Sequence, residues 1–241
     1  MSVEVITERD GRFSLGPLAP GLRDLGTVRL GLESYHAWGE LAHTLRTGTP
    51  AFDRVYGKRF YEYIGEDPVR VTRWDDAMVA ISQSWIPAVL AAYDFPGTRR
   101  LADLGGGRGT FLATVLAAYP AIRGVLFDQP HVVANAGPVL ARTGVTERCE
   151  VVGGSLLSRR GPPGADTYTR CNALTDWDDE LGSRVLQKVR RALPGKGKIL
   201  VIDRVFPSPN DPSTRWLPFS TSGSSSWRAA GSAHGTGTND C

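Results

Sequence analysis

The chain has 241 residues, 41% hydrophobic and 22% charged, which excludes wholesale disorder and allows one large α/β domain or a medium domain plus part of another. Its 28 Lys and Arg against 25 Asp and Glu leave a formal charge of +3, too mild to argue for nucleic acid. The three cysteines lack metal spacing, the N-terminus lacks a signal pattern, and no run of about 18 apolar residues occurs. These features point to a soluble cytoplasmic chain with reduced thiols and no bound metal.

In chain order, RFSL (12–15) before GPLAPG reads as a strand and a turn. Leu32, Tyr35, Trp38, Leu41, Ala42 and Leu45 recur at helical spacing, and the predicted helix ends at TGTP (47–50). A second helical pattern runs from about Arg70 to Tyr93, with Pro87 expected to kink or break it. From Arg99 strands and helices alternate. Predicted strands cover 101–104, 124–128, 149–153, about 166–172, and 198–206. The helices between them start after Gly109, run irregularly past Gly137 and Pro138, and carry Leu181 to Leu193. This alternation predicts a Rossmann-like, doubly wound parallel sheet.

The first strand runs into a glycine loop and a helix, LADLGGGRGTF (101–111). Glycines let a backbone turn sharply and approach a ligand, and the N–H groups that open a helix face it. Asp128 ends the second strand, where a carboxylate can grip ribose hydroxyls. The dinucleotide pattern GxGxxG needs glycine at 110 and finds Thr110. Glycines at 105, 107 and 109 after Asp103 instead match S-adenosylmethionine enzymes, whose cofactor has no pyrophosphate to cradle. A methyltransferase is favoured over a nicotinamide-dependent oxidoreductase.

These stretches, with GVLFDQPHV (124–132), CEVVGGS (149–155), GADTY (164–168), LTDWDDE (174–180) and TGTPAFDRVYGKRF (47–60), resemble small-molecule O-methyltransferases of the plant caffeate type. Their actinomycete relatives acting on polyketide and other antibiotic precursors are more similar still. The resemblance covers about residues 10 to 215. It implies S-adenosyl-L-methionine as cofactor, with Gly105 and Gly107 along its methionine end and Asp128 on its ribose. Ser155 and Leu156 would flank adenine, although relatives usually carry an aspartate at the first of these. Cys171 would stand near the cofactor or serve as a small buried hydrophobe, and Trp177 would sit beside adenine or in the core. The implied substrate is an aromatic or polyketide hydroxyl, bound near Trp38, Trp74 and Met78.

The resemblance also shows what differs. The family's histidine base in Leu-His-Asp-Trp is replaced in Leu174-Thr175-Asp176-Trp177, and threonine is no base at neutral pH. No catalytic residue is assigned. Methyl transfer by proximity, other chemistry on the same scaffold, and an inactive cofactor-binding remnant are the three readings. Residues 1–95 are expected to be the remnant of an N-terminal winged-helix and dimerisation region, which would weaken the family homodimer. Residues 96–210 would form the cofactor domain with an incomplete sheet, its fifth strand left as an apolar edge. Residues 211–241 are expected to be disordered, since 13 of the 22 residues from Ser220 to Cys241 are Ser, Thr or Gly. One choice of GC-rich codons for Trp216 to Asp240, read in the shifted frame, gives a sequence like the family's continuation. That points to a frameshift between about Ser213 and Pro218, against the alternative of a natural flexible tail.

Overall fold

The computed structural model describes residues 6–9, 11–15, 31–156, 161–172 and 179–203. A hairpin of β1 (Ile6–Arg9) and β2 (Arg12–Leu15) turns at Gly11, whose φ of +70° suits glycine. Among the described residues five helices follow: α1 (Leu32–Gly39), α2 (Leu41–Thr47), α3 (Ala51–Tyr56), α4 (Phe60–Gly65) and the long α5 (Pro68–Ala92). The α/β part contains β3 (Arg100–Leu104), α6 (Thr110–Ala118), β4 (Arg123–Asp128), α7 (Pro130–Val133) and α8 (Gly137–Arg142). It continues with β5 (Cys149–Gly153), β6 (Thr167–Cys171), α9 (Asp179–Ala192) and β7 (Lys198–Ile202).

Two expectations for the helical region need correcting. The single helix over 32–45 is two, because the chain tightens at Glu40, whose N–H donates to the Ala37 carbonyl at 3.1 Å. Its apolar face is also not the packed one. Leu32 and Tyr35 are each 72% exposed and Leu45 69%, while the small residues Ser34, Ala37 and Thr44 are buried. The second concerns Pro87: of the kink or break expected there, the break does not occur, and α5 runs on through it. Pro87 is exposed and removes only the hydrogen bond to the carbonyl of Gln83, itself an exposed residue, and water can satisfy that carbonyl. Meanwhile Ile86 is buried in the core beside Trp85, Val89 and Leu90, and that packing carries the helix past the lost bond.

The strands form one parallel sheet in the order β5-β4-β3-β6-β7. Side chains alternate between its faces as the pleat requires. Leu101 and Leu126 meet Phe111, Leu112 and Leu116 of α6 and the apolar end of α5 on one side. Ala102, Leu104, Val125, Phe127 and Tyr168 meet Val185 and Val189 of α9 on the other. Burying each large aliphatic side chain contributes about 1.5–3 kcal/mol, so these two layers hold the domain. Gly124 lets α6 approach: a Cβ there would lie 2.8 Å from a Leu116 methyl.

Sequence order builds outward from β3 to β5, then crosses to the other side of β3 for β6. The switch point therefore lies between β3 and β6, where the connections leave in opposite directions and open a crevice. The expected strands match this sheet closely. Residues 204–206 of the predicted last strand, and the whole 211–241 tail with its suspected frameshift, lie outside the described residues. Among the described residues β7 is an edge strand, with Val201 49% exposed.

Candidate functional site

The loop Gly105–Gly109 leaves the tip of β3 at the switch point. Gly105, Gly107 and Gly109 have φ of +72°, +61° and +83°, a region that other residues enter only with strain. The Gly105 N–H donates to the Phe127 carbonyl at 2.7 Å, tying the loop to β4. A Cβ on Gly105 would collide with the Arg170 guanidinium. One on Gly106 would lie 2.5 Å from Asp103 Oδ2 and 2.6 Å from a Leu126 methyl. At Gly107 no described atom comes within 4 Å of that point, so the loop presents open backbone there.

Asp128 stands at the end of β4 beside this loop. Its Oδ2 accepts from the Gly107 N–H at 2.8 Å and its Oδ1 from the Gln129 N–H at 2.6 Å. A carboxylate has about four acceptor positions, so two remain for the hydroxyls of a diol. The structure thus brings Gly105, Gly107 and Asp128 together. The Gly154 N–H donates to the Asp128 carbonyl at 2.8 Å, which brings the next strand tip alongside.

Ser155 follows half-buried at that tip. Leu156 is buried against the α9 layer, and its carbonyl accepts from Lys188 Nζ at 3.0 Å. Cys171 ends β6, partly buried against the α6 layer, and burial holds its thiol well above its ordinary pKa. It is therefore a neutral thiol at physiological pH. Thr175, Asp176 and Trp177 lie outside the described residues.

The sequence reading names Asp103 only as the residue before the glycines and does not reach Arg170 or Arg108. Asp103 is almost fully buried under the loop; Thr169 donates to its Oδ1 at 2.9 Å, and its Oδ2 has no hydrogen-bond partner among the described residues. Burial pushes its pKa up to about 7, against the lowering effects of Thr169 and Arg170. Beside it the Arg170 side chain, also buried, donates to the Leu104 carbonyl at 2.8 Å. Arg108, the loop's only side chain, reaches α5, where Nε donates to Asp75 Oδ2 at 3.2 Å and a terminal nitrogen to Asp76 Oδ1 at 2.6 Å. An Arg inside a glycine loop and two adjacent acids on α5 are visible signals, but nothing local links residues 33 apart.

The cleft fits a nucleoside cofactor. It offers a glycine cradle with open backbone at Gly107, the N-terminus of α6 and a carboxylate with acceptor capacity to spare. The orphaned Asp103 Oδ2 adds a buried acceptor beneath it. Among the described residues no group of three or more His, Cys, Asp or Glu could hold a metal ion, and no helix is long and apolar enough to cross a membrane.

Comparison with known proteins gives concordant matches. Residues 38–218 match the family model described as an O-methyltransferase domain. The phenazine O-methyltransferase PhzM of Lysobacter antibioticus is 36% identical over 226 residues, covering 90% of this chain and 66% of that protein. The crystal structure of LaPhzM superposes with a TM-score of 0.79 at 35% identity, over 89% of this chain and 67% of that one. NcsB1 from neocarzinostatin biosynthesis, solved with S-adenosyl-L-homocysteine and 1,4-dihydroxy-2-naphthoic acid, superposes with a TM-score of 0.69 at 30% identity, over 82% and 63%. The chain spans 66%, 49% and 58% of the length of three curated relatives it matches, about half to two thirds.

Proposed function

The chain belongs to the O-methyltransferase domain family, and from that premise we propose that it transfers a methyl group from S-adenosyl-L-methionine to a hydroxyl of an aromatic or polyketide-type small molecule. The observation that carries this reading is the joint placement of the open Gly107 backbone and Asp128 at the switch point of the sheet. Gly105 and Gly107 line the methionine end of the cofactor, Asp128 takes the ribose hydroxyls, and Ser155 and Leu156 flank the adenine. Cys171 borders the site as a neutral polarizable group. Residues 96–210 form this cofactor domain, 1–95 the remnant of the N-terminal region with a helical linker, and 211–241 a tail. The two described cysteines are free thiols, which agrees with a cytoplasmic setting.

When bound, the cofactor supplies a methyl group already activated on a sulfonium. The protein's part is to hold the accepting oxygen in line with it, and such positioning can supply several kcal/mol of the barrier. A phenol has a pKa near about 10, so a base would help. With threonine at 175, this chain is read as working by positioning, and no catalytic residue is assigned.

The test is incubation of the full chain with methyl-labelled S-adenosyl-L-methionine and a panel of aromatic hydroxyl compounds, including 1,4-dihydroxy-2-naphthoic acid. The expected result is label on the organic product. A chain that binds the cofactor but labels nothing across the panel would contradict the transferase reading and leave a cofactor-binding protein.

A further inference from the structure

Four of the five residues in the loop 105–109 are glycine, the residue that loses most conformational freedom on ordering. Such a loop needs outside anchors to keep its amides aimed. Backbone bonds hold it at both ends: the Gly105 N–H donates to the Phe127 carbonyl, and the Gly109 carbonyl accepts from the Ala113 N–H at 2.8 Å. Between them Asp128 accepts from the Gly107 N–H, and Arg108 is the one loop residue whose own side chain reaches out to hold it. Its guanidinium is only 17% exposed and binds two carboxylates, one of which, Asp75, is itself buried. Ionic hydrogen bonds in so dry a setting are about twice as strong as neutral ones, and removing either partner strands a buried charge. The residue before Arg108 is Gly107, whose amide is aimed at Asp128.

We propose that Arg108 is a positioning residue for the cofactor site: gripping Asp75 and Asp76 of α5, it fixes the Gly107 amide against Asp128 and so sets the carboxylate for the ribose. The inference rests on reading this cleft as the cofactor site. It also makes α5 part of that site. The same helix carries Trp74, which packs on Phe60 of α4 with ring centroids 4.7 Å apart, so the helical region and the cofactor loop share one rigid strut. The other titratable groups that act on Asp75 are Asp128 and His131.

The experiment is calorimetric titration of the full chain with S-adenosyl-L-homocysteine for wild type, Arg108→Gln, Arg108→Lys, Asp75→Asn and the Arg108→Gln/Asp75→Asn double variant. Each ligand-free thermal midpoint is recorded as well. Arg108→Gln and Asp75→Asn are each expected to weaken binding about tenfold. Arg108→Lys should recover part of that loss, and the double variant should bind no worse than the weaker single, because both changes cut one contact. A purely structural role would shift the midpoints and leave the affinity of the folded chain alone. Folded Arg108→Gln and Asp75→Asn chains that bind within a factor of about two of wild type would overturn the proposal by itself. If Arg108→Gln does not fold, Arg108→Lys and Asp75→Asn make the same comparison. A folded wild-type chain that binds nothing would overturn the cofactor-site reading, and this proposal with it.

Discussion

Asp103 and Asp128 sit near the tips of neighbouring strands, and their surroundings give them different work. Asp128 is half-buried with both oxygens engaged by backbone amides and acceptor capacity left over. Asp103 lies beneath the loop, where burial raises its pKa from 3.8 to about 7. Between those values the folded chain keeps a proton that the unfolded chain has lost. The cost to stability is therefore absent below about pH 4, grows as pH rises, and is complete above about pH 7. Asp103→Asn cannot ionise and removes that cost. Urea unfolding between about pH 5 and pH 8 should show wild type losing more stability on the way up than Asp103→Asn. Parallel pH profiles would contradict the assignment. At this scale the sequence makes the glycines and Asp128 legible, because spacing along one strand–loop–helix unit determines them. It does not reveal Arg108, Asp75, Thr169 or Arg170, whose roles come from contacts across 33 to 66 residues.

Among the elements, α5 shows where tertiary packing overrides a local rule. A helix-interior proline costs about 3 kcal/mol in an unsupported helix, yet the 25-residue helix continues through Pro87 because the turn around it is anchored by the apolar core. The strain of that fit has a measurable sign. Pro87→Ala restores an N–H at an exposed position and should raise the thermal midpoint by several degrees, for a gain of about 1–3 kcal/mol. A lower midpoint would mean that the proline ring itself contributes to packing. Helices α1 and α2 show the converse. Their apolar periodicity is real in the sequence, but periodicity cannot say which face finds a partner, and the small residues pack instead. Helices α3 and α4 are too short for periodicity to reveal. Their signals are local ones: the left-handed Gly57 that ends α3, and Glu62 accepting from the Arg59 N–H at the start of α4.

For the molecule as a whole, the strand–helix alternation from residue 99 onward is enough to predict the parallel sheet, since a crossover between parallel strands has one strongly preferred hand. Strand order does not follow from that hand alone; the crevice is located only once β6 is seen to pair with the other edge of β3. The packing of α5 onto the α/β part does not follow from it either, because no local pattern encodes which helix face meets which layer. That packing joins the two halves through one apolar layer and one buried ion cluster. The cleft at the β3–β6 switch point is proposed to bind S-adenosyl-L-methionine through the glycine loop and Asp128. Calorimetric titration of the full chain with S-adenosyl-L-homocysteine, beside Asp128→Ala, tests it most directly. Wild type is expected to bind in the micromolar range, about −8 kcal/mol, and Asp128→Ala at least about tenfold more weakly. A folded wild-type chain that binds no S-adenosyl-L-homocysteine, or an Asp128→Ala chain that binds it equally well, would contradict the claim.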